Sequence, residues 1–197
     1  MGQLYEAINV EAVVDRFGID AMIETGTGLG GTVIKFAEGH PYLPIYTVEA
    51  VSDVYVFAVT NTINYHNIKC ILGNTIDVLP DLISTVQDKE SILFWLDAHF
   101  PGADFGFANY GDVEDSAIRI PLESELRLIV EGRDISKDFF VIDDLRVYED
   151  GPFESGNWAD RHLYGGDGID FIYELLGSTH NITKLYSQQG YIIAEPK

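Results

Sequence analysis

The sequence predicts an open, doubly wound α/β sheet, mostly parallel, with an antiparallel C-terminal hairpin strand. Short apolar runs alternate along the chain with segments of helical period, the order that places parallel strands between two layers of helices. A glycine-dense turn, "ETGTGLGG", follows the first apolar run and leads into a helical segment. The last two apolar runs are joined by a short turn around "QQG", which reads as a hairpin.

Each element follows from its local pattern. "YEAINVEAVVDRF" reads as a helix within an N-terminal segment 1–19, and it leads into the strand "AMIET". After the glycines come a helix at "GTVIKFAEG", a strand at "PIYTVEA" and a helix at "VSDVYVFAVTNTINYH". "IKCILG" is the next strand, and "TIDVLPDLISTV" the next helix, which Pro80 is expected to bend or break. "SILFWLDAH" and "FFVIDDLRV" are nearly all-apolar strands flanking the helix "PLESELRLIVEG". "GIDFIYELLGST" is a final helix, and "ITKLYS" and "GYIIAEP" form the hairpin.

A chain of 197 residues is long enough for one sizeable core, read as a single domain over 1–197. The formal net charge of −20 argues against a grip on nucleic acid phosphates or on an anionic membrane surface. It suits solubility and leaves a small molecule as the expected partner, with a homo-oligomer as a further expectation. The only cysteine, Cys70, excludes an intrachain disulfide and lies in an apolar run, as a small buried hydrophobe does. With no signal-peptide pattern, no myristoylation pattern and no membrane-length apolar run, a cytoplasmic location is expected.

Ligands of such sheets bind beyond the carboxyl ends of the strands. Two long stretches without regular pattern follow strands there, at 100–120 and 148–168, and carry the aromatics Tyr110 and Trp158. They read either as lids and acceptor walls or as surface excursions pinned by their own aromatics. Gly26, Gly28 and Gly31 fit G-x-G-x-x-G between a strand and a helix, and Glu49 ends the next strand, where an acid meets ribose hydroxyls. This pattern serves both NAD and S-adenosylmethionine. Glu24, two residues before the first glycine, favours the second: it suits a cationic chain and would repel a pyrophosphate. The short C-terminal part and the terminal hairpin also disfavour a nucleotide dehydrogenase.

On "ETGTGLG", Glu49, "GNTIDVLPDL", "LDAH" and "VIDD", in this order, residues 20–195 resemble the class I S-adenosylmethionine-dependent methyltransferases, whose sheet is Rossmann-like. The resemblance implies that Glu24, Thr25, Gly26 and Gly28 form the methionine-side pocket and that Glu49 clamps the ribose. It places Asn74 and Thr75 beside the adenine, unless they serve only as a helix N-cap, and counts Asp97 with the cofactor-binding residues.

"FWLDAH" and "VIDD" put Asp97, His99, Asp143 and Asp144 at the ends of neighbouring apolar strands. Buried carboxylates in such number call for a cation, and oxygen ligands suit Mg²⁺. "LDAH … PLESEL … VIDD" also resembles the metal-dependent macrocin-type O-methyltransferases, which act on sugar hydroxyls of secondary metabolites. That resemblance implies Mg²⁺ at Asp97, Asp143 and Asp144, with His99 and Asp97 as the catalytic residues and His99 as general base. His99 reads alternatively as a hydrogen-bonded structural histidine. Successive strand residues face opposite ways, so Asp143 and Asp144 share an ion only if the strand has ended; otherwise one pairs with Arg146. The expected activity is Mg²⁺-assisted O-methylation of a small-molecule hydroxyl. The alternatives are a non-catalytic cofactor-binding module, an NAD-dependent oxidoreductase, or a transferase using decarboxylated S-adenosylmethionine.

Overall fold

The computed structural model describes residues 4–197; residues 1–3, where the expected N-terminal segment begins, lie outside the described residues. The expected first helix is two, α1 (Leu4–Ala7) and α2 (Val10–Phe17). Asn9 separates them by accepting the Ala12 amide at 3.0 Å. A side chain that satisfies an end amide makes a fresh helix start as favourable as continuation.

The remaining elements are β1 (Ala21–Thr25), α3 (Gly31–Gly39), β2 (Ile45–Glu49), α4 (Ser52–Thr62), β3 (Ile68–Leu72), α5 (Thr75–Thr85), β4 (Ile92–Leu96), α6 (Ser116–Arg119), α7 (Leu122–Gly132), β5 (Phe139–Ile142), α8 (Arg161–Tyr164), α9 (Asp170–Leu176), β6 (His180–Leu185) and β7 (Tyr191–Pro196). Seven strands form one sheet in the order β3-β2-β1-β4-β5-β7-β6. The first five are mutually parallel, and β7 runs antiparallel to both β5 and β6. The predicted α/β sheet with its antiparallel terminal hairpin is therefore present. The strand order reverses between β1 and β4, and a crevice opens beyond their carboxyl ends.

Alternation along the strands divides the core in two. Ala21 and Ile23 of β1, Phe94 and Leu96 of β4, and Phe140 and Ile142 of β5 pack with α5, α7 and α9. Met22, Leu93, Trp95, Phe139 and Val141 face the other way, onto α2 and α3. Each large apolar side chain fully buried here stabilises the fold by about 1.5–3 kcal/mol, so the central strands form a rigid platform for the residues just past their ends. Pro80 does not break α5. It is exposed, and Leu79, Leu82 and Ile83 bury the helix against the sheet, so packing outweighs the lost hydrogen bond. At the opposite, amino-terminal end of the sheet, Arg133 donates to both oxygens of buried Asp138 at 2.8 and 3.0 Å and to the carbonyls of Val86 and Lys89. That pair is remote from the crevice and ties α7 to the sheet.

β4 and β5 end earlier than the apolar runs suggest, at Leu96 and Ile142. Phe100 and Asp144 adopt φ of 43° and 51°, left-handed values that turn the chain out of the extended form. The "LDAH" and "VIDD" acids thus stand on turns beyond the sheet rather than on its two faces. Among the described residues, no helix is long and apolar enough to cross a membrane.

Candidate active site

The glycine turn after β1 is constrained at specific positions. Gly26 has φ of 83°, and a Cβ there would lie 2.7 Å from the Asp97 carbonyl oxygen. The turn and the end of β4 therefore touch backbone to backbone. Gly28 (φ 54°) donates its amide to Glu49 Oε2 at 3.0 Å. A Cβ at Gly31, the third glycine of the expected spacing, would meet nothing within 4 Å, so that position is free of the constraint. Gly30 is the constrained residue, with φ of 81° and a Cβ position 3.1 Å from the Thr62 methyl. The turn is thus G-x-G-x-G, which departs from the dinucleotide spacing read in the sequence.

Behind the turn, Glu24 is buried and accepts a hydrogen bond from the Thr47 hydroxyl, which in turn meets the Thr27 hydroxyl at 2.6 Å. Burial, partly offset by Thr47 and reinforced by the Glu49 charge, pushes the Glu24 carboxyl up to about 8. Thr25 points to the other face and donates to Glu125 Oε2 at 3.3 Å. Neither Glu24 nor Thr25 reaches the cleft wall, so they support the turn from below.

The other six residues expected at the cofactor, Gly26, Gly28, Glu49, Asn74, Thr75 and Asp97, line one cleft of about 390 Å³. The Glu49 carboxylate is held by the amides of Gly28 and of Val51 (2.9 Å), and burial nonetheless raises its pKa. Each oxygen keeps a lone pair for a hydroxyl donor. Asn74 occupies the N-cap position of α5 but makes no capping hydrogen bond there; its side chain reaches Asp77 at 3.5 Å.

The same cleft receives His99, Asp144 and Arg146. His99 Nε2 is in contact with Asp144 Oδ2, and Arg146 Nε lies 4.0 Å from Asp144 Oδ1. Burial alone would lower the imidazole pKa; the Asp144 charge and hydrogen bond, with Asp143, raise it to about 9. In this arrangement His99 is an imidazolium paired with a carboxylate at neutral pH. Asp143 is buried, and neither of its carboxylate oxygens meets a hydrogen-bond donor. Burial and the neighbouring Asp144 charge raise its pKa, and burial with the charges of Asp143, Asp144 and Glu24 raises Asp97.

Asp144 is thus engaged through Oδ2 with His99, while its Oδ1 is buried without a hydrogen-bond partner, 4.0 Å from Arg146 Nε. Among the described residues, no three His, Cys, Asp or Glu side chains converge to hold a metal ion together. Asp97 and Asp143 are the acids without a cationic partner of their own. Mg²⁺ is commonly held by one or two carboxylates with water and substrate oxygens completing its shell; Asp97 lines the cleft, whereas Asp143 does not and borders a small enclosed space that it shares with Asp97, His99 and Glu125.

The two long stretches are tied over the cleft. Phe100, Tyr110 and Trp158 form a three-ring cluster with centroid separations of 5.0–5.4 Å. Arg119 donates to the Tyr164 carbonyl at 3.1 Å, joining 100–120 to 148–168. Phe105 comes from above to within 3.3 Å of the Gly28 Cβ position. Trp158→Ala removes two edge-on ring contacts and is expected to cost about 1–2 kcal/mol. Limited proteolysis of that variant is expected to cut first within these two stretches, and a cleavage pattern unchanged from the wild type would show that the cluster is not what joins them.

Three contributors are not read from the sequence pattern. Glu125 is buried in α7 behind the site, its pKa pushed up to about 7 by burial against the hydrogen bonds of Thr75 and Thr25. A signal for it exists: Leu122, Glu125, Leu126 and Ile129 follow helical spacing, so a charge sits on the buried stripe. Phe105 and Gln189 also line the cleft, and Gln189 accepts a hydrogen bond from Arg146; both come from loops without period. His162 is exposed and does not line the cleft.

A seven-stranded sheet in this order, with its antiparallel terminal strand, matches the Rossmann-like fold of solved methyltransferases. Solved structures make the likeness concrete. A Staphylococcus aureus protein assigned as a caffeoyl-CoA O-methyltransferase superposes with a TM-score of 0.68 at 13% identity, covering 100% of this chain and 85% of that one. The methyltransferase PaMTH1 of Podospora anserina, solved with S-adenosylhomocysteine bound, gives 0.62 at 16% identity, covering 95% and 75%. An O-methyltransferase of Bacillus cereus, also with S-adenosylhomocysteine, gives 0.59 at 14%, covering 100% and 83%. No protein-family model and no curated protein matches the sequence.

Proposed function

We propose that this chain is an S-adenosylmethionine-dependent methyltransferase that methylates a hydroxyl oxygen of a small molecule, assisted by Mg²⁺, in the cytoplasm. The observation that carries this reading is that the glycine turn, Glu49 and the Asp97–His99–Asp144 group open into one cleft. The fold alone would not supply a reaction.

In this reading Glu49, fixed by two backbone amides, accepts the ribose hydroxyls, and Asn74 and Thr75 border the adenine. Gly26 lets the methionine side of the cofactor lie against the end of β4. Glu24 supports the turn from behind through the Thr47 hydroxyl. Asp97 and Asp143 would hold Mg²⁺, whose contribution when bound is to lower the pKa of the acceptor hydroxyl and orient its oxygen. His99, in the neutral form that its pairing with Asp144 shifts toward alkaline pH, receives the acceptor proton as the oxygen–carbon bond forms and the carbon–sulfur bond breaks. Tyr110 and Trp158 exclude water from the acceptor side, and most of the acceleration comes from holding the two reactants in line.

The test is transfer from methyl-labelled S-adenosylmethionine to a panel of sugar and phenolic hydroxyl compounds, with Mg²⁺ and with EDTA. The expected result is label on oxygen, lost with EDTA and lost in His99→Ala by a factor of roughly 10²–10⁴. EDTA-insensitive transfer would remove the cation from the proposal. Label on nitrogen would remove the hydroxyl acceptor.

A further inference from the structure

The aspartate pair of "VIDD" is split between two jobs. Asp143 is enclosed with no hydrogen-bond partner on either oxygen, whereas Asp144 meets His99 through Oδ2 and keeps Oδ1 unpartnered, 4.0 Å from Arg146 Nε. The frame around Asp144 is built from three parts of the chain. Its backbone is left-handed, with φ 51° and ψ 49°, a conformation that Asp and Asn tolerate better than other side chains. The short helical turn after it is clamped to the terminal hairpin: Leu145 and Arg146 donate their amides to the Gly190 and Gln189 carbonyls at 3.0 and 3.1 Å. The Arg146 guanidinium is itself held by the Gln189 side chain. The hairpin turn thus holds Arg146 and the backbone after Asp144 in place, and Asp144 meets the imidazole.

We infer that Asp144 is a positioning residue for His99 and not a ligand of the cation, which takes its protein oxygens from Asp97 and Asp143 alone. The inference rests on the proposed function for the presence of a cation and a proton acceptor. It departs from that function's expected ligand set on the contacts of one residue. In this arrangement Asp144 takes the Nε2 nitrogen of the imidazole and leaves Nδ1 for another partner. The other Asp144 oxygen, Oδ1, has no hydrogen-bond partner but lies 4.0 Å from the Arg146 guanidinium, whose positive charge disfavours a second cation there.

The experiment uses the full chain and needs no acceptor. Mn²⁺ binding is followed by the electron paramagnetic resonance of free Mn²⁺ for the wild type, Asp97→Asn, Asp143→Asn and Asp144→Asn. In parallel, ¹⁵N-histidine-labelled protein with S-adenosylhomocysteine is examined for the imidazole N–H signal bonded to a carboxylate, assigned by its loss in His99→Gln. Asn at 144 keeps the left-handed backbone, and a thermal melt checks that the variant folds. The expected result is at least tenfold weaker Mn²⁺ binding in Asp97→Asn and Asp143→Asn. Asp144→Asn should stay within threefold of wild type while the His99 signal is lost or strongly shifted. Mn²⁺ binding lost in Asp144→Asn as much as in Asp143→Asn overturns the inference, as does a His99 signal unmoved by Asp144→Asn. If the wild type binds no Mn²⁺, the cation in the proposed function fails. The imidazole signal then decides alone: lost in Asp144→Asn it supports the pair, retained it refutes it.

Discussion

Gly26→Ala is expected to abolish S-adenosylhomocysteine binding and to weaken the fold, while Gly31→Ala, five residues away, leaves both intact. The reason is local geometry. A methyl at 26 would lie 2.7 Å from the Asp97 carbonyl oxygen, which is fixed backbone, and would sit at φ 83°. The left-handed conformation alone costs an alanine about 1–2 kcal/mol. With the clash, the loss is expected at about 2–4 kcal/mol, among the larger single-residue effects. Relief requires the turn to move away from β4, which displaces Gly28 and its hold on Glu49. The affinity for S-adenosylhomocysteine is therefore expected to fall more than a hundredfold, or about 2.7 kcal/mol. Gly31 opens α3 with free space around it, so alanine there is expected to be neutral or stabilising by up to about 1 kcal/mol. Equal effects at the two positions, by melting and calorimetry, would contradict the steric account of the turn.

Glu24→Gln is expected to leave stability unchanged near pH 5 and to raise it strongly by pH 9 in the ligand-free protein. Burial lifts the folded-state pKa from 4.5 to about 8, so the folded chain holds a proton that the unfolded chain releases. Stability from this group is complete below the unfolded pKa and is lost as pH rises toward the folded value, at about 1.4 kcal/mol per unit. Across the whole window the loss is roughly 4–5 kcal/mol, a large share of a typical domain's stability. A neutral glutamine keeps an oxygen to accept the Thr47 hydroxyl and avoids ionisation. Urea titrations at pH 5, 7 and 9 read the difference directly. A gap between variant and wild type that does not widen with pH would show that Glu24 is solvated.

Much of the fold is legible in the sequence because its signals are local. The boundaries of β1 and α3 match their apolar and helical runs, and the hairpin follows from "QQG". The acids Glu49, Asp97 and Asp143 are legible as polar endings of apolar strands. Other features depend on contacts remote in sequence. His99 and Asp144 are 45 residues apart, and only the left-handed turn after β5 brings the second aspartate to the imidazole. Periodicity cannot separate Gly30 from Gly31, because the difference lies in φ and in the distance to Thr62. Glu24 carries the right charge for a cofactor pocket, but its strand-face placement puts it behind the turn, against Thr47. Nor can the apolar run of "FFVIDDLRV" reveal that its strand ends at Ile142.

On the proposed function, the glycine turn and Glu49 bind an adenosyl cofactor of the methionine type. Calorimetric titration with S-adenosylhomocysteine, and separately with NAD⁺, tests it most directly. One site per chain for S-adenosylhomocysteine, lost in Gly26→Ala, and no heat with NAD⁺ are the expected results. Saturable binding of NAD⁺, or none by S-adenosylhomocysteine, would contradict this assignment and remove the basis for the roles given to Asp97, His99 and Asp143.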